Sequence, residues 1–141
     1  MQPFRNIALL LALILPAATL AQGSEEPALT LELNTADNVG EACRLTFLLS
    51  NGLERDIDKL VAETGLFSDE GEVILLTLFD FGELPVGRPR VRQFRVPDTS
   101  CERLGQVLVN GLDTCQIAGE QSGHCTDALE VSSRVRIGME G

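Results

Sequence analysis

The stretch from Leu66 to Val96, reading LFSDEGEVILLTLFDFGELPVGRPRVRQFRV, constrains the fold more than any other part of the chain. Its polar cluster Ser68, Asp69, Glu70 and Gly71 separates two apolar runs, and Gly71 is free to take a positive φ, which is a hairpin signal. Val73 to Phe81 then alternates, with Val73, Leu75, Thr77, Phe79 and Phe81 on one face of an extended strand. Ile74, Leu76, Leu78 and Asp80 occupy the opposite face, so the pattern predicts a strand covered on both sides over most of its length. Gly82, Pro85 and Gly87 interrupt it, and Arg88 to Val96 resumes an extended pattern that mixes apolar and basic residues. The stretch therefore reads as three consecutive strands joined by two turns.

Similar alternation runs through the rest of the chain. Leu29, Leu31 and Leu33 alternate with Thr30, Glu32 and Asn34, the mark of a half-buried strand. Asp37, Asn38 and Gly40 turn the chain, and Cys43, Leu45, Phe47 and Leu49 alternate up to the Asn51-Gly52 turn signal. Further strands are expected at about Leu60 to Phe67, Leu104 to Asn110 and Leu129 to Ile137. Seven short strands with turn residues between them, and no helical period, predict an all-β, antiparallel, immunoglobulin-like β-sandwich. An incomplete barrel is the alternative that periodicity leaves open.

Residues 1–21 have the form of a cleavable signal peptide: the single cation Arg5, an apolar run from Ile7 to Leu15, and small residues up to Ala21. The run is too short to span a bilayer. No cysteine stands at the cleavage position and no second arginine accompanies Arg5, which excludes a lipid anchor there and a twin-arginine signal. Residues 22–141 then form a single β-sandwich domain. The whole chain has a formal charge of −10, and cleavage removes one cation. That acidity argues against nucleic acid or an anionic membrane as partner and is otherwise what keeps a small exported domain soluble.

The sequence also resembles known exported domains. Phe67, Asp69, Gly71, Val73 and Ile74, followed by Leu84, Pro85, Gly87, Phe94 and Val96, are similar to bacterial exported immunoglobulin-like sandwiches of the FxLYD kind. More narrowly, Leu76 to Val96 followed by Pro97 and Cys101 resembles a family of small, uncharacterised alphaproteobacterial exported proteins. The resemblance spans most of the mature chain and implies a fold without assigning a functional residue. Unlike antibody-type domains, the chain has no Trp and no Tyr, hence neither a core tryptophan nor a tyrosine corner.

All four cysteines, Cys43, Cys101, Cys115 and Cys125, follow the signal segment, and an even number in an exported chain implies two disulfides. With strands alternating in direction, the second and sixth run the same way. Cys43 near the start of one and Cys101 just before the other then lie at the same end, so Cys43 pairs with Cys101 and Cys115 with Cys125. Loop closure would contribute about 4 kcal/mol for the first and about 3 for the second, which would clamp a long loop before the last strand. The competing reading of these cysteines, a metal site or thiol chemistry, lacks a Cys-x-x-Cys and any common zinc spacing. His124 is the sole histidine and supplies one ligand at most. No cofactor and no metal are expected.

Few constellations carry chemistry. Ser122, His124 and Asp127 could be arranged as a triad, but they lie in one loop with no nucleophile elbow. Asp80-Phe81-Gly82 matches the kinase metal-binding triplet in a chain with none of the other kinase motifs, a chance match. The acidic groups Glu54, Asp56 and Asp58, and Asp69, Glu70 and Glu72, lack the full oxygen ladder of a calcium loop. The least ordinary feature is Arg88, Arg90, Arg92 and Arg95 in an acidic chain. Arg88, Arg90 and Arg92 would share a strand face with Phe94 and offer a basic strip to a carboxylate, a phosphate or an acidic partner. The reading favoured over this is that they protect a sheet edge and neutralise acids such as Glu63 or Asp80. The loop from Gly111 to Asp127 is the second candidate binding region.

Taken together, these features predict a soluble, periplasmic, non-catalytic binding or accessory module for another envelope component. A small periplasmic enzyme or metal-dependent protein using Ser122, His124 and Asp127 is the alternative. A structural subunit whose strand edge pairs with itself is a third.

Overall fold

The computed structural model describes residues 26–141, and the expected signal peptide lies outside them. Nine strands, a 3-10 turn and one short helix follow in order: β1 (Leu29–Val39), β2 (Ala42–Asn51), β3 (Ile57–Ser68), β4 (Val73–Leu84), β5 (Arg90–Val96), the 3-10 turn Cys101–Arg103, β6 (Leu104–Ile117), β7 (Glu120–Gln121), α1 (His124–Asp127), β8 (Leu129–Ser133) and β9 (Gly138–Glu140). They form two sheets. One has the order β5-β2-β1-β8, and the other has the order β4-β3-β6-β7, with β9 also pairing with β6. This is a β-sandwich, and each of its seven longer strands overlaps one that the alternation predicts.

The inner faces bury the alternating residues. Leu29, Leu31 and Leu33 of β1 and Leu45, Phe47 and Leu49 of β2 meet Leu60, Ala62 and Leu66 of β3 across the core. At the β4–β5 side, Phe47 and Phe94 from one sheet pack against Phe79 and Phe81 from the other. Phe79 and Phe94 stack at 4.2 Å, and Phe47 meets Phe81 edge-on at 5.6 Å. Offset and edge-to-face contacts are the geometries aromatic quadrupoles favour.

Both expected disulfides are present, Cys43–Cys101 with Cα atoms 4.8 Å apart and Cys115–Cys125 at 6.3 Å. Disulfides form and persist in oxidising, extracytoplasmic compartments. No helix among the described residues is long and apolar enough to cross a membrane.

Four sequence expectations need correction. First, β6 does not stop at Asn110 but runs to Ile117, placing Cys115 in a strand and not in a loop. The Asn110-Gly111 pair looks like a turn, yet Thr64 pairs with Val109 while Glu63 pairs with Gly111, and Val61 pairs with Thr114 while Ala62 pairs with Leu112. Asn110 and Asp113 are thereby bulged out to solvent without ending the ladder. Second, Leu129 to Ile137 is not one strand. The Ser133 hydroxyl donates to the Ile137 carbonyl at 2.6 Å and accepts from the Val135 N–H at 3.3 Å, closing a local turn. That turn carries the chain from β8 in one sheet to β9 in the other. Third, these two strands are parallel to their neighbours, β8 to β1 and β9 to β6, so the pairing is not antiparallel throughout.

Fourth, β4 is not covered on both sides. It pairs with β3 alone, and Leu76 and Leu78 on its outer face are 62% and 53% exposed. Period-two patterning shows that both faces are apolar but does not say whether a second layer lies over each.

Candidate functional site

The four arginines do not form one strip. β5 begins at Arg90, so Arg88 lies in the turn before it, where its N–H donates to the Pro85 carbonyl at 3.3 Å. Arg90 and Arg92 share a strand face with Phe94, and that face is directed across the gap between the two sheets. The Arg92 Nε–H donates to the Phe81 carbonyl at 2.8 Å, and the Arg90 guanidinium lies 3.6 Å from Glu83. These two side chains stitch the edge strand β5 to the edge strand β4. Glu63 and Asp80 find other partners, Asn110 and Lys59. Arg95 faces the opposite way, in register with Arg44 of β2. Arg44 in turn reaches Asp37 at 3.5 Å, and its Nε is buried without a partner among the described residues.

At the Cys115–Cys125 end the chain builds a cleft of about 420 Å³. Leu53, Ile117, Pro27 and Ala128 give it an apolar surface, and Glu54, Arg55, His124 and Asp127 give it charged or titratable groups. Several bonds fix its shape. Ala118 and Gly119 turn the chain with φ of 52° and 77°, and the Gly119 N–H donates to Asp58 at 2.8 Å. The Ser122 N–H donates to the Cys115 carbonyl at 2.8 Å, and the disulfide then ties α1 to β6.

Of the triad considered from the sequence, His124 and Asp127 line this cleft. The Ser122 hydroxyl accepts from the His124 backbone N–H at 3.3 Å, and no hydrogen bond joins the imidazole to Ser122 or Asp127 among the described residues. Such a hydroxyl is engaged in a local turn and has no base set to take its proton.

The acidic clusters are dispersed in the same way. Asp56 accepts from the Val86 N–H at 2.7 Å and Asp58 from Gly119, while Asp69 pairs with Arg136 at 2.7 Å. Among the described residues no three His, Cys, Asp or Glu side chains converge as a metal site.

Two polar clasps escaped the sequence reading. Beside the cleft, Asn51 is buried; its amide donates to the Leu84 carbonyl at 2.8 Å and the Arg55 carbonyl at 3.0 Å, and its Oδ1 accepts from the Leu53 N–H at 2.9 Å. This bonding holds Leu53 and Arg55 in place at the cleft. At the other end, the Asn38 amide donates to both Glu102 oxygens, at 2.8 and 3.0 Å, and its Oδ1 accepts from the Cys101 N–H at 2.8 Å. The Asn38 amide, with help from backbone N–H, Ser100 and Arg136, lowers the pKa of the exposed Glu102 carboxyl below its ordinary value. Arg136 also donates to the carbonyls of Cys101 at 3.0 Å and Leu104 at 2.8 Å. Asn51-Gly52 signals a turn, and the bonds of Asn51 to Leu53 and Arg55 belong to it, but its bond to Leu84 and the partners of Arg136 are too distant in sequence for any local pattern to show.

No family model and no curated protein matches the chain. Among solved structures, the chain is similar to IrmA from Escherichia coli, with a TM-score of 0.62 at 12% identity, over 75% of this chain and 92% of that one. At that identity the likeness is one of fold.

Proposed function

We propose that the protein is a non-catalytic binding or accessory module of the periplasm, which recognises another envelope component through the cleft at its Cys115–Cys125 end. The carrying observation is the composition and fixity of that cleft. Apolar Leu53 and Ile117 lie beside Arg55, Glu54 and Asp127, the mixture of apolar surface and a few oriented polar groups that recognition sites use. The disulfide and the Asn51 bonds fix the backbone that carries these side chains before any partner arrives, which lowers the entropy lost on binding. The arginines support this choice by their engagement elsewhere, since Arg90 and Arg92 already serve the joint between sheets.

Site-specific photo-crosslinking in intact cells tests the reading. A crosslinker at Leu53 is expected to give one discrete envelope adduct, which Ile117→Arg abolishes and Arg95→Ser leaves in place. An adduct formed at Arg95 and not at Leu53 would transfer recognition to the outer face of β5. His124→Ala separates binding from chemistry. A binding module keeps its partner with a loss of about 1 kcal/mol, the scale of a peripheral contact, whereas a reaction at Ser122, His124 and Asp127 would be abolished with the sole imidazole.

A further inference from the structure

The two strands that border the same side of the sandwich are treated very differently by the sequence. β5 carries Arg90, Arg92 and Arg95 along its seven residues, and charged side chains of this kind deter pairing with other chains. β4 is longer, at 12 residues, and its segment Val73–Phe79 contains no charge, no proline and no glycine. One edge of β4 pairs with β3; the other pairs with no strand among the described residues and is bare from Val73 to Asp80, before Arg92 reaches the Phe81 carbonyl. On its outer face Leu76 and Leu78 are largely exposed, and Val73 is 64% exposed. Phe67 of β3 continues this apolar surface by lying over Gly65, whose missing Cβ would sit 3.1 Å from the ring. A long, neutral, apolar edge is a template for strand addition.

We propose that the bare edge of β4 pairs antiparallel with β4 of a second copy of this chain. Charge complementarity selects this occupant. In an antiparallel twofold, the acidic β3–β4 turn of each copy comes beside the far end of β4 in the other. Glu70 and Glu72 in that turn have no ion-pair partner among the described residues. The far end is where Arg90 and Arg92 lean onto β4: Arg90 pairs with Glu83 and Lys59 with Asp80, which leaves Arg92, its guanidinium 3.6 Å from where a Gly82 Cβ would stand, as the cation with no carboxylate partner among the described residues.

Register follows from the same charges. Centring the twofold on Thr77 sets Leu76 opposite Leu78 and, past the β4 bulges at Ile74 and Phe81, Asp80 opposite Val73 and Glu72 opposite Gly82, beside Arg92. No carboxylate then faces a carboxylate. Moving the centre to Leu76 would, past the same bulges, set Glu72 against Phe79 and away from Arg92. The overall charge of −10 disfavours contact between copies over most of the surface; the neutral stretch of β4 and its arginine-flanked end are where that repulsion is relieved.

Sedimentation equilibrium on the protein expressed from its full sequence, with both disulfides formed, tests this. The wild type is expected to sediment as a dimer at about 100 μM, and Leu76→Lys with Leu78→Lys to raise the dissociation constant at least about 100-fold while leaving the melting temperature of the monomer unchanged. Glu72→Lys, in an exposed turn that tolerates substitution, is expected to weaken the dimer about tenfold, and to do so less at high salt. Hydrogen exchange should show Leu76 and Leu78 amides protected in the dimer and fast in the lysine variant. A wild type that is monomeric at that concentration overturns the proposal, including one that binds an added extended peptide along β4. A dimer unaffected by the lysine pair overturns it too, by placing the contact on another face.

Discussion

At the scale of single residues, the fold depends on polar side chains that satisfy backbone groups far away in sequence. Asn51, buried at the end of β2, bonds the distant Leu84 carbonyl as well as the backbone of its near neighbours Leu53 and Arg55. Removing its amide leaves buried backbone groups without partners, and each such group costs about 1–3 kcal/mol. Asn51→Ala is therefore expected to destabilise the protein by about 2–4 kcal/mol, read as a lower denaturant midpoint at unchanged slope. Asn51→Asp would keep the acceptor for Leu53 and lose the two donors, so its destabilisation should persist at neutral pH. Nothing near Asn51 in the chain announces this role, because the Leu84 carbonyl is 33 residues away. The Asn51-Gly52 pair was legible as a turn, and Gly52 is required there, since a Cβ would meet the Ala28 carbonyl oxygen at 2.7 Å.

At the scale of elements, the two disulfides secure different joints. Cys43–Cys101 links residues 58 apart in sequence and joins the start of β2 to the approach to β6. Cys115–Cys125 closes a loop of 10 and fastens α1 against the end of β6, beside the cleft. Chain entropy assigns about 4 kcal/mol to the longer loop and about 3 to the shorter. Replacing both Cys115 and Cys125 by Ser should lower global stability by about 3 kcal/mol or less. Its larger effect should be local, with faster amide exchange confined to β7, α1 and the start of β8. The Cys43→Ser, Cys101→Ser pair should instead lower protection throughout both sheets. Both pairings could be reasoned from strand direction, but not the placement of Cys115 inside a strand. Two bulges hold β6 in register past a sequence that spells a turn.

At the scale of the molecule, two sheets share one core, and the aromatic cluster joins them at the β4–β5 side. Phe47 touches Phe79, Phe81 and Phe94 at centroid distances of 5.7, 5.6 and 6.0 Å. Phe47→Ala should cost about 3–5 kcal/mol, the range for a large core side chain replaced by a small one. Because the ring touches both sheets, the loss should appear as a lower midpoint of a single cooperative transition and not as separate melting of one sheet. The same joint includes Arg92 and Arg90, so the basic residues that looked like a binding strip are part of what holds the sheets together. Arginine at an edge strand serves ligand recognition and packing equally well in sequence; only the direction of its strand face separates the two.

Sequence alone determined the class of fold, the location of the first five strands and the start of the sixth, the buried face of β1 and β2, and the cysteine pairing. Each of these follows from short-range information: alternation fixes which side chains share a face, and turn residues mark where strands reverse. Tertiary structure decided what lies over each face and what each edge meets. It left Leu76 and Leu78 of β4 bare, turned Arg90 and Arg92 inward, split the last strand between two sheets, and gathered Leu53, Arg55, Ile117 and His124 around one cleft. Those outcomes depend on contacts between residues tens of positions apart, and period-two patterning contains no term for them.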